Sequence, residues 1–198
     1  MPRHKGAQIL FFEPPGKTRG KEGRRVRPGL TVYTLPPILE VEQRYTRLFR
    51  MGQKKLARFI EERMDRHRFR QALLWCTGPE SVHLLDYLAF RALVYDCDRD
   101  WSHLPIRWES DLALAADVVF AASPGLIHHL SPCSANIALL PNGVNYPMFS
   151  RSPVECPAEL RRISGPVLGY VGGLRRDLDL APALRAARLL PQCTFVFV

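Results

Sequence analysis

The chain has 198 residues, 46% of them hydrophobic, which is enough for one packed domain or for one domain and part of another. Its net charge of +9 is uneven: residues 1–70 hold 18 basic and 7 acidic side chains, whereas residues 71–150 hold 3 basic and 8 acidic. The five cysteines form no CxxC pair, which excludes a zinc ribbon, and no apolar run reaches the ~20 residues of a membrane span. Because no signal peptide opens the chain, we predict a cytoplasmic protein that can lie on the inner face of the plasma membrane.

Two short apolar strands are predicted near the N-terminus, at residues 8–12 and 31–35. Residues 16–29 between them are basic, contain glycine and lack apolar periodicity, so we predict an exposed loop. The Gly16-Lys17-Thr18 sequence within it is not the end of a phosphate-binding loop, because Phe11 stands where that motif needs its first glycine.

From residue 40 to about 64, apolar residues recur at helical spacing and basic residues fill the other positions. This pattern predicts a basic amphipathic helix. One interpretation is attachment to anionic lipid, and the alternative is an ordinary helix with a solvated charged face. The residues predicted to face the membrane are Arg44, Arg47, Lys54, Lys55 and Arg58.

Strands and helices then alternate regularly up to residue 140. The strands lack strict alternation of apolar and polar residues, which is typical of parallel strands covered by helices on both faces. Thr77 and Ser123 are predicted helix caps, because each stands shortly before a helix-starting proline. The sequence therefore predicts a doubly wound parallel α/β sheet with strands at 72–76, 92–95, 118–122 and 137–140, and helices at 79–90, 109–116 and 124–130.

In such sheets, ligands bind beyond the carboxyl ends of the strands. Three acids, Asp96, Asp98 and Asp100, come directly after a predicted strand and could supply a general base or bind substrate hydroxyl groups. The alternative is that one acid caps a turn and the others are solvated. No metal site is predicted, and the histidines, which have no ligand or catalytic spacing, are predicted to be surface or packed side chains.

A second α/β unit is predicted after the turn Pro141-Asn142-Gly143 and a proline-rich linker. Its strand at 167–171 ends in Gly172-Gly173, followed closely by Arg175 and Arg176. Glycine lets a backbone approach a phosphate and arginine neutralises the phosphate charge, although a tight turn without a ligand explains the same pattern.

Four segments in this order carry a family resemblance: Leu93 to Ser102, Glu109 to Ser123, Leu140 to Phe149 and Val167 to Leu180. Together they resemble the bacterial glycosyltransferases of the GT-B fold, most closely the branch that builds cell-surface polysaccharides, such as teichuronic-acid-type enzymes. The resemblance is close over residues 70–198 and extends to residues 8–70 only in pattern.

The resemblance implies two Rossmann-like domains. Residues 1–145 would form the acceptor-side domain without its usual first strand, residues 146–165 an interdomain linker, and residues 166–198 the first β-α-β of the nucleotide-sugar domain. The chain would thus be an incomplete enzyme, which we expect to be inactive by itself because the glutamates that hold the donor ribose and sugar are missing.

The resemblance also implies roles for individual residues. Asp96, Asp98 and Asp100 would line the acceptor side, and Pro141, Asn142 and Gly143 would mark the crossover between domains. The nucleotide sugar is a substrate, so no cofactor is expected, and its diphosphate would be stabilised by positive groups as it leaves. The donor-side residues would be Gly172, Gly173, Arg175 and Arg176.

The acceptor implied by the resemblance is a polysaccharide or a lipid-linked saccharide. The rival interpretations are a non-catalytic basic α/β binding module and a degenerate remnant. Nucleic acid is not an expected partner, because no aromatic residues or known nucleic-acid module accompany the basic charge.

Overall fold

The computed structural model describes residues 6–15, 23–38, 46–150, 155–174 and 178–198. The chain divides into two compact units, Met1–Gly143 and Val144–Val198. Each unit is an α/β structure.

The first unit begins with a three-stranded sheet of order β1-β3-β2. Strands β1 (Ile9–Glu13) and β3 (Leu30–Thr34) are parallel, and β2 (Arg24–Arg27) is antiparallel to β3. The prediction of a loop over 16–29 was wrong at β2. The chain reverses at Gly29, whose positive φ of 80° suits glycine, and β2 pairs through its backbone while its four side chains stay exposed.

Helix α1 (Thr46–Arg66) packs one stripe inward, made of Leu56, Ala57 and Ile60 together with the polar side chains of Gln53 and Arg63. Ala57 and Ile60 are buried in a cluster that receives Phe12 from β1. The predicted helix over 40–64 is therefore confirmed from Thr46 onward, and its first residues lie outside the described residues.

The second sheet contains four parallel strands in the order β4-β5-β6-β7. They are β4 (Leu73–Cys76), β5 (Ala92–Cys97), β6 (Val118–Ala121) and β7 (Ile137–Leu139). A 3-10 helix (Pro79–Tyr87), α2 (Ile106–Ala115) and α3 (Pro124–Leu130) connect them. The predicted parallel α/β sheet is thus confirmed for β4–β7, whereas β1–β3 form a separate mixed sheet.

The main core lies between β4–β7 and these connecting helices. Most fully buried side chains come from β5, β6, α2 and α3, and Pro79 of the 3-10 helix joins them, because the strand faces and helix stripes are largely apolar where the two layers meet. The largest of them are Leu93, Tyr95, Leu112, Val119 and Leu130.

The two predicted helix caps had different outcomes. The cap at Ser123 is confirmed, since its Oγ accepts a hydrogen bond from the Leu126 backbone N–H at 3.3 Å. The prediction that Thr77 caps a helix was wrong. Gly78, in extended conformation, directly precedes the 3-10 helix, and no side chain caps that helix. Thr77 stands one residue too early to reach the free N–H groups of that helix.

The second unit contains α4 (Tyr146–Phe149), α5 (Ala158–Arg161), β8 (Val167–Tyr170), α6 (Ala181–Leu189) and β9 (Thr194–Phe197). Strands β8 and β9 are parallel and α6 connects them, which makes a β-α-β unit. None of the side chains described between 144 and 198 is fully buried.

Candidate functional site

The candidate site is the edge of the second sheet at the carboxyl ends of β4–β7. Asp96 is the penultimate residue of β5 rather than a residue after the strand, and Asp98 and Asp100 follow. The Asp96 carboxylate accepts a hydrogen bond from the indole N–H of Trp75 on β4, at 3.0 Å. The structure therefore places the three predicted acids at the expected edge of the sheet.

Asp98 and Asp100 are both held as carboxylates. The Arg99 guanidinium donates two hydrogen bonds to Asp98, at 2.6 and 2.9 Å, and these bonds lower the pKa of the Asp98 carboxyl. Asp100 accepts a hydrogen bond from the Ser102 backbone N–H at 2.8 Å, which lowers its pKa. A lowered pKa makes a carboxylate a weaker base, so both groups are better suited to accept hydrogen bonds than to remove protons.

The turn Pro141-Asn142-Gly143 reaches the acid segment. The side-chain amide of Asn142 donates a hydrogen bond to the backbone carbonyl of Asp98, at 3.2 Å. The end of the first unit is therefore joined to the acid segment that follows β5, although the two are more than forty residues apart.

A buried carboxylate, Glu109, lies in the first turn of α2 and was missed by the sequence analysis. Glu109 on α2 is only 5% exposed, and it accepts hydrogen bonds from the Tyr95 hydroxyl at 2.8 Å and the Cys97 thiol at 3.4 Å. Its other oxygen lies 2.9 Å from Nε2 of His129 on α3. Burial is the main reason that the pKa of Tyr95 is raised and that the pKa of Cys97 is raised to about 12.

Residue spacing could not reveal this network, because Glu109 and His129 are 20 residues apart and belong to different helices. The prediction that His129 is a surface or packed residue accounts for its exposure but not for its pairing with a buried carboxylate. The available signal was Glu109 at the start of the helix predicted over 109–116, shortly before the apolar run at 112–116.

An aromatic pair lies beside Asp96. The rings of Trp75 on β4 and Phe120 on β6 stack with centroids 5.5 Å apart and an interplanar angle of 24°. Trp75 is 49% exposed. Because Trp75 and Phe120 come from different strands, only the sheet brings them together.

The predicted donor-side turn lies in the second unit. The Gly172 backbone N–H donates to the Val198 carbonyl at 3.0 Å, and a Cβ on Gly172 would lie 2.8 Å from the Tyr170 hydroxyl oxygen. An added Cβ would only displace the end of the exposed Tyr170 side chain, so this packing distinguishes neither a phosphate-binding turn nor the alternative of a simple tight turn. Gly173 follows in irregular backbone, and Arg175 and Arg176 lie outside the described residues.

The predicted membrane-facing side chains Arg47, Lys54, Lys55 and Arg58 are exposed on α1, and Arg44 lies outside the described residues. Lys54 lies over the Tyr87 ring at 5.9 Å, and Lys55 donates to the Pro37 carbonyl at 2.9 Å. Lys54, Lys55 and Arg58 border a shallow groove of about 410 Å³. The groove is also lined by Pro36, Met51, Phe59 and Glu62.

Neither a membrane-spanning helix nor a metal-binding cluster occurs in the described part of the chain. None of its helices combines the length and apolar character that crossing a bilayer requires. No three His, Cys, Asp or Glu side chains there converge as a metal site would require.

Comparison with known proteins confirms the resemblance drawn from the four sequence segments. No protein-family model matches the sequence. The chain is 25% identical to the Bacillus subtilis (strain 168) protein named "Putative teichuronic acid biosynthesis glycosyltransferase TuaH", over 96% of this chain and 54% of that protein.

The fold matches a solved structure as well. Sucrose-phosphate synthase from Thermosynechococcus elongatus aligns with a TM-score of 0.75 at 15% identity, over 97% of this chain and 52% of that one. The chain thus spans about half the length of the relatives it matches. It has the Rossmann-like α/β fold of the GT-B glycosyltransferases.

Proposed function

We propose that this chain belongs to a glycosyltransferase that moves a sugar from a nucleotide-sugar donor to a polysaccharide or a lipid-linked acceptor. The observation that carries the proposal is the acid segment at the carboxyl edge of β4–β7, joined to the Asn142 turn by a hydrogen bond at 3.2 Å. Parallel α/β sheets bind their ligands at this edge. The sequence similarity to a protein named as a glycosyltransferase supports the same function.

The first unit would bind the acceptor. Asp96, Asp98 and Asp100 offer carboxylate oxygens. An ionised carboxylate accepts hydrogen bonds and donates none, so it suits the hydroxyl groups of a saccharide, which can donate. The lowered pKa of Asp98 and Asp100 supports a binding role for these two acids rather than proton removal.

The second unit would bind the donor diphosphate at Gly172-Gly173, with Arg175 or Arg176 as the charge partner. In the proposed reaction the oxygen of an acceptor hydroxyl bonds to the anomeric carbon of the sugar, the bond from that carbon to the diphosphate breaks, and the hydroxyl proton is released to water. Positive groups would stabilise the departing diphosphate. We propose no metal and no cofactor for this step.

Attachment to anionic lipid would bring the enzyme to a lipid-linked acceptor at the cytoplasmic face of the membrane. Arg47, Lys54 and Arg58 are separated by seven and four residues, so they share one face of α1. Met51, which is 66% exposed, lies on the same face and could enter the headgroup region.

Transferase activity is tested with protein expressed from the complete reading frame of the gene. We expect purified protein to release a nucleoside diphosphate from one of a panel of nucleotide sugars when bacterial membrane extract supplies the acceptor. Combined Asp96→Asn and Asp100→Asn substitutions should raise the KM for the acceptor and leave the KM for the donor unchanged. If no nucleotide sugar binds or turns over, the proposal is wrong.

The membrane contact is tested by cosedimentation with vesicles of phosphatidylcholine alone or mixed with phosphatidylglycerol. We expect binding only to the anionic vesicles, and less of it at high salt because the attraction is electrostatic. Combined Arg47→Gln, Lys54→Gln and Arg58→Gln substitutions should abolish it. Arg185→Gln with Arg188→Gln, exposed on α6, is the control and should bind normally; equal loss in both variants would contradict a specific role for α1.

A further inference from the structure

Glu109 and His129 form a fixed pair at the carboxyl edge of the second sheet. Glu109 lies in the first turn of α2, which begins beyond the end of β5, and His129 lies in the second turn of α3, which begins beyond the end of β6. The Glu109 side chain is 7% exposed and the His129 side chain 48%. The pair therefore has one member fixed in the core and one member open to solvent.

The hydrogen bonds to Glu109 determine which nitrogen of His129 faces outward. Glu109 accepts hydrogen bonds from the Tyr95 hydroxyl and the Cys97 thiol through Oε1. When Glu109 is ionised, its Oε2 can only accept, so Nε2 of His129 then carries the hydrogen that they share. None of the described residues forms a hydrogen bond with Nδ1 of His129. This second nitrogen can accept from a hydroxyl when the ring is neutral and can donate to a hydroxyl oxygen when the ring is charged.

The surroundings of His129 favour an uncharged hydroxyl compound. Asp100 lies within electrostatic range of His129 and of His103, and it belongs to the acid segment described above. While the rings of His129 and His103 are neutral, Glu109 and Asp100 oppose a ligand that carries a carboxylate or phosphate, and Arg99 is already paired with Asp98. A sugar hydroxyl meets no such repulsion.

We propose that His129, oriented by Glu109, binds a hydroxyl group of a neutral saccharide acceptor through Nδ1. This inference rests on the proposed function and adds to it a specific acceptor contact and a preference for an uncharged sugar at that contact. The pair resembles the arrangement in which a buried carboxylate holds an imidazole in one tautomer and one orientation.

The decisive variant is His129→Gln. Glutamine places an amide N–H close to where Nε2 lies, so it can keep the hydrogen bond to Glu109, but it has no counterpart of Nδ1. His128→Gln is the matched control, because His128 is the adjacent exposed histidine on the same helix. Both variants should keep the wild-type thermal midpoint, which separates a binding role from a structural role.

Binding is measured by saturation-transfer NMR with methyl β-D-glucopyranoside as the neutral probe and glucuronate as the anionic probe. We expect the wild-type chain and His128→Gln to bind the glucoside more tightly than glucuronate, and the glucoside to shift the imidazole nitrogen signals of His129. His129→Gln should bind the glucoside about tenfold more weakly, the size expected for one lost hydrogen bond.

Equal glucoside binding by His129→Gln and wild type, no glucoside binding at all, or tighter binding of glucuronate would each overturn the inference. These outcomes are independent of the test of transfer. If the protein turns over a nucleotide sugar and His129→Gln leaves the acceptor KM unchanged, the inference is wrong and the proposed function stands. If glucoside binds at His129 but no nucleotide sugar binds or turns over, the proposed function is wrong and the saccharide contact stands.

Discussion

Strands β5 and β8 are similar in sequence and differ in environment. Both are short parallel strands rich in aliphatic residues and tyrosine. In β5 the side chains of Leu93, Tyr95 and Cys97 are at most 1% exposed, whereas all four residues of β8 are exposed. The difference arises because β5 lies between two strands and beneath helices, while β8 pairs only with β9 among the described strands.

An apolar strand therefore stabilises a fold only to the extent that other elements cover it. Burial of apolar area is the main favourable term in folding, and it depends on neighbours as well as on the residue itself. The first unit should therefore supply most of the cooperative stability of this chain. Three measurements can contradict or refine this view.

The largest effect is expected from Leu112→Ala on α2. Leu112 is fully buried, so the substitution leaves a cavity and should lower the free energy of unfolding by about 2–5 kcal/mol. The control is Leu184→Ala on α6, where the side chain is 59% exposed and the expected change is within about 0.5 kcal/mol. Urea denaturation followed by circular dichroism measures both, and similar losses in the two variants would contradict the comparison.

The second test uses cysteine alkylation in the folded chain. Burial raises the pKa of the Cys76 thiol to about 11 and that of Cys97 to about 12, so at pH 8 only about a thousandth or less of either thiol is the reactive thiolate. Cys156, in the second unit, is exposed. Mass spectrometry after brief iodoacetamide treatment should find Cys156 alkylated at least a hundredfold faster than the other two, by the same thiolate argument.

A control in concentrated urea should remove this difference between the cysteines, because unfolding exposes all of them. If Cys97 reacts as fast as Cys156 in the folded chain, the core around β5 opens far more readily than its burial indicates.

The smallest effect is expected from Asp98→Asn, at the surface of the first unit. Hydrogen bonds from Arg99 lower the pKa of Asp98 from its ordinary 3.8, so the folded state favours the carboxylate. The folded state is therefore stabilised at pH values above 3.8, where the carboxyl is ionised in the unfolded chain as well. Asp98 is 29% exposed and Arg99 59%, so the gain should be at most about 1 kcal/mol.

The pH dependence checks the sign of this effect. The stability difference between wild type and Asp98→Asn should be constant near neutral pH and should vanish as the pH falls below about 3.8. Asp86→Asn removes the same charge from an exposed position on the 3-10 helix and should show no such loss. A difference that grows towards acid pH would contradict the proposed role of Arg99.

The sequence alone was sufficient for the order of elements in residues 72–140 and for the acid segment at the end of β5. The spacing of apolar residues that distinguishes strands from helices is a local property of the sequence. A serine directly before a proline is likewise a local signal for a helix cap, as Ser123 shows. The turn at Asn142 was also recognisable, although its hydrogen bond to Asp98 was not. Strand β2 was missed because its side chains carry no apolar pattern and only backbone pairing with β3 makes it a strand.

The tertiary structure decided which polar residues share a site. Glu109 meets Tyr95, Cys97 and His129 only because β5, α2 and α3 pack together, and no spacing along the chain encodes that meeting. It also decided that β5 is buried and β8 exposed, although their sequences are alike. Secondary structure follows from local patterns, whereas burial, pairing of distant side chains and the resulting pKa shifts depend on which elements become neighbours.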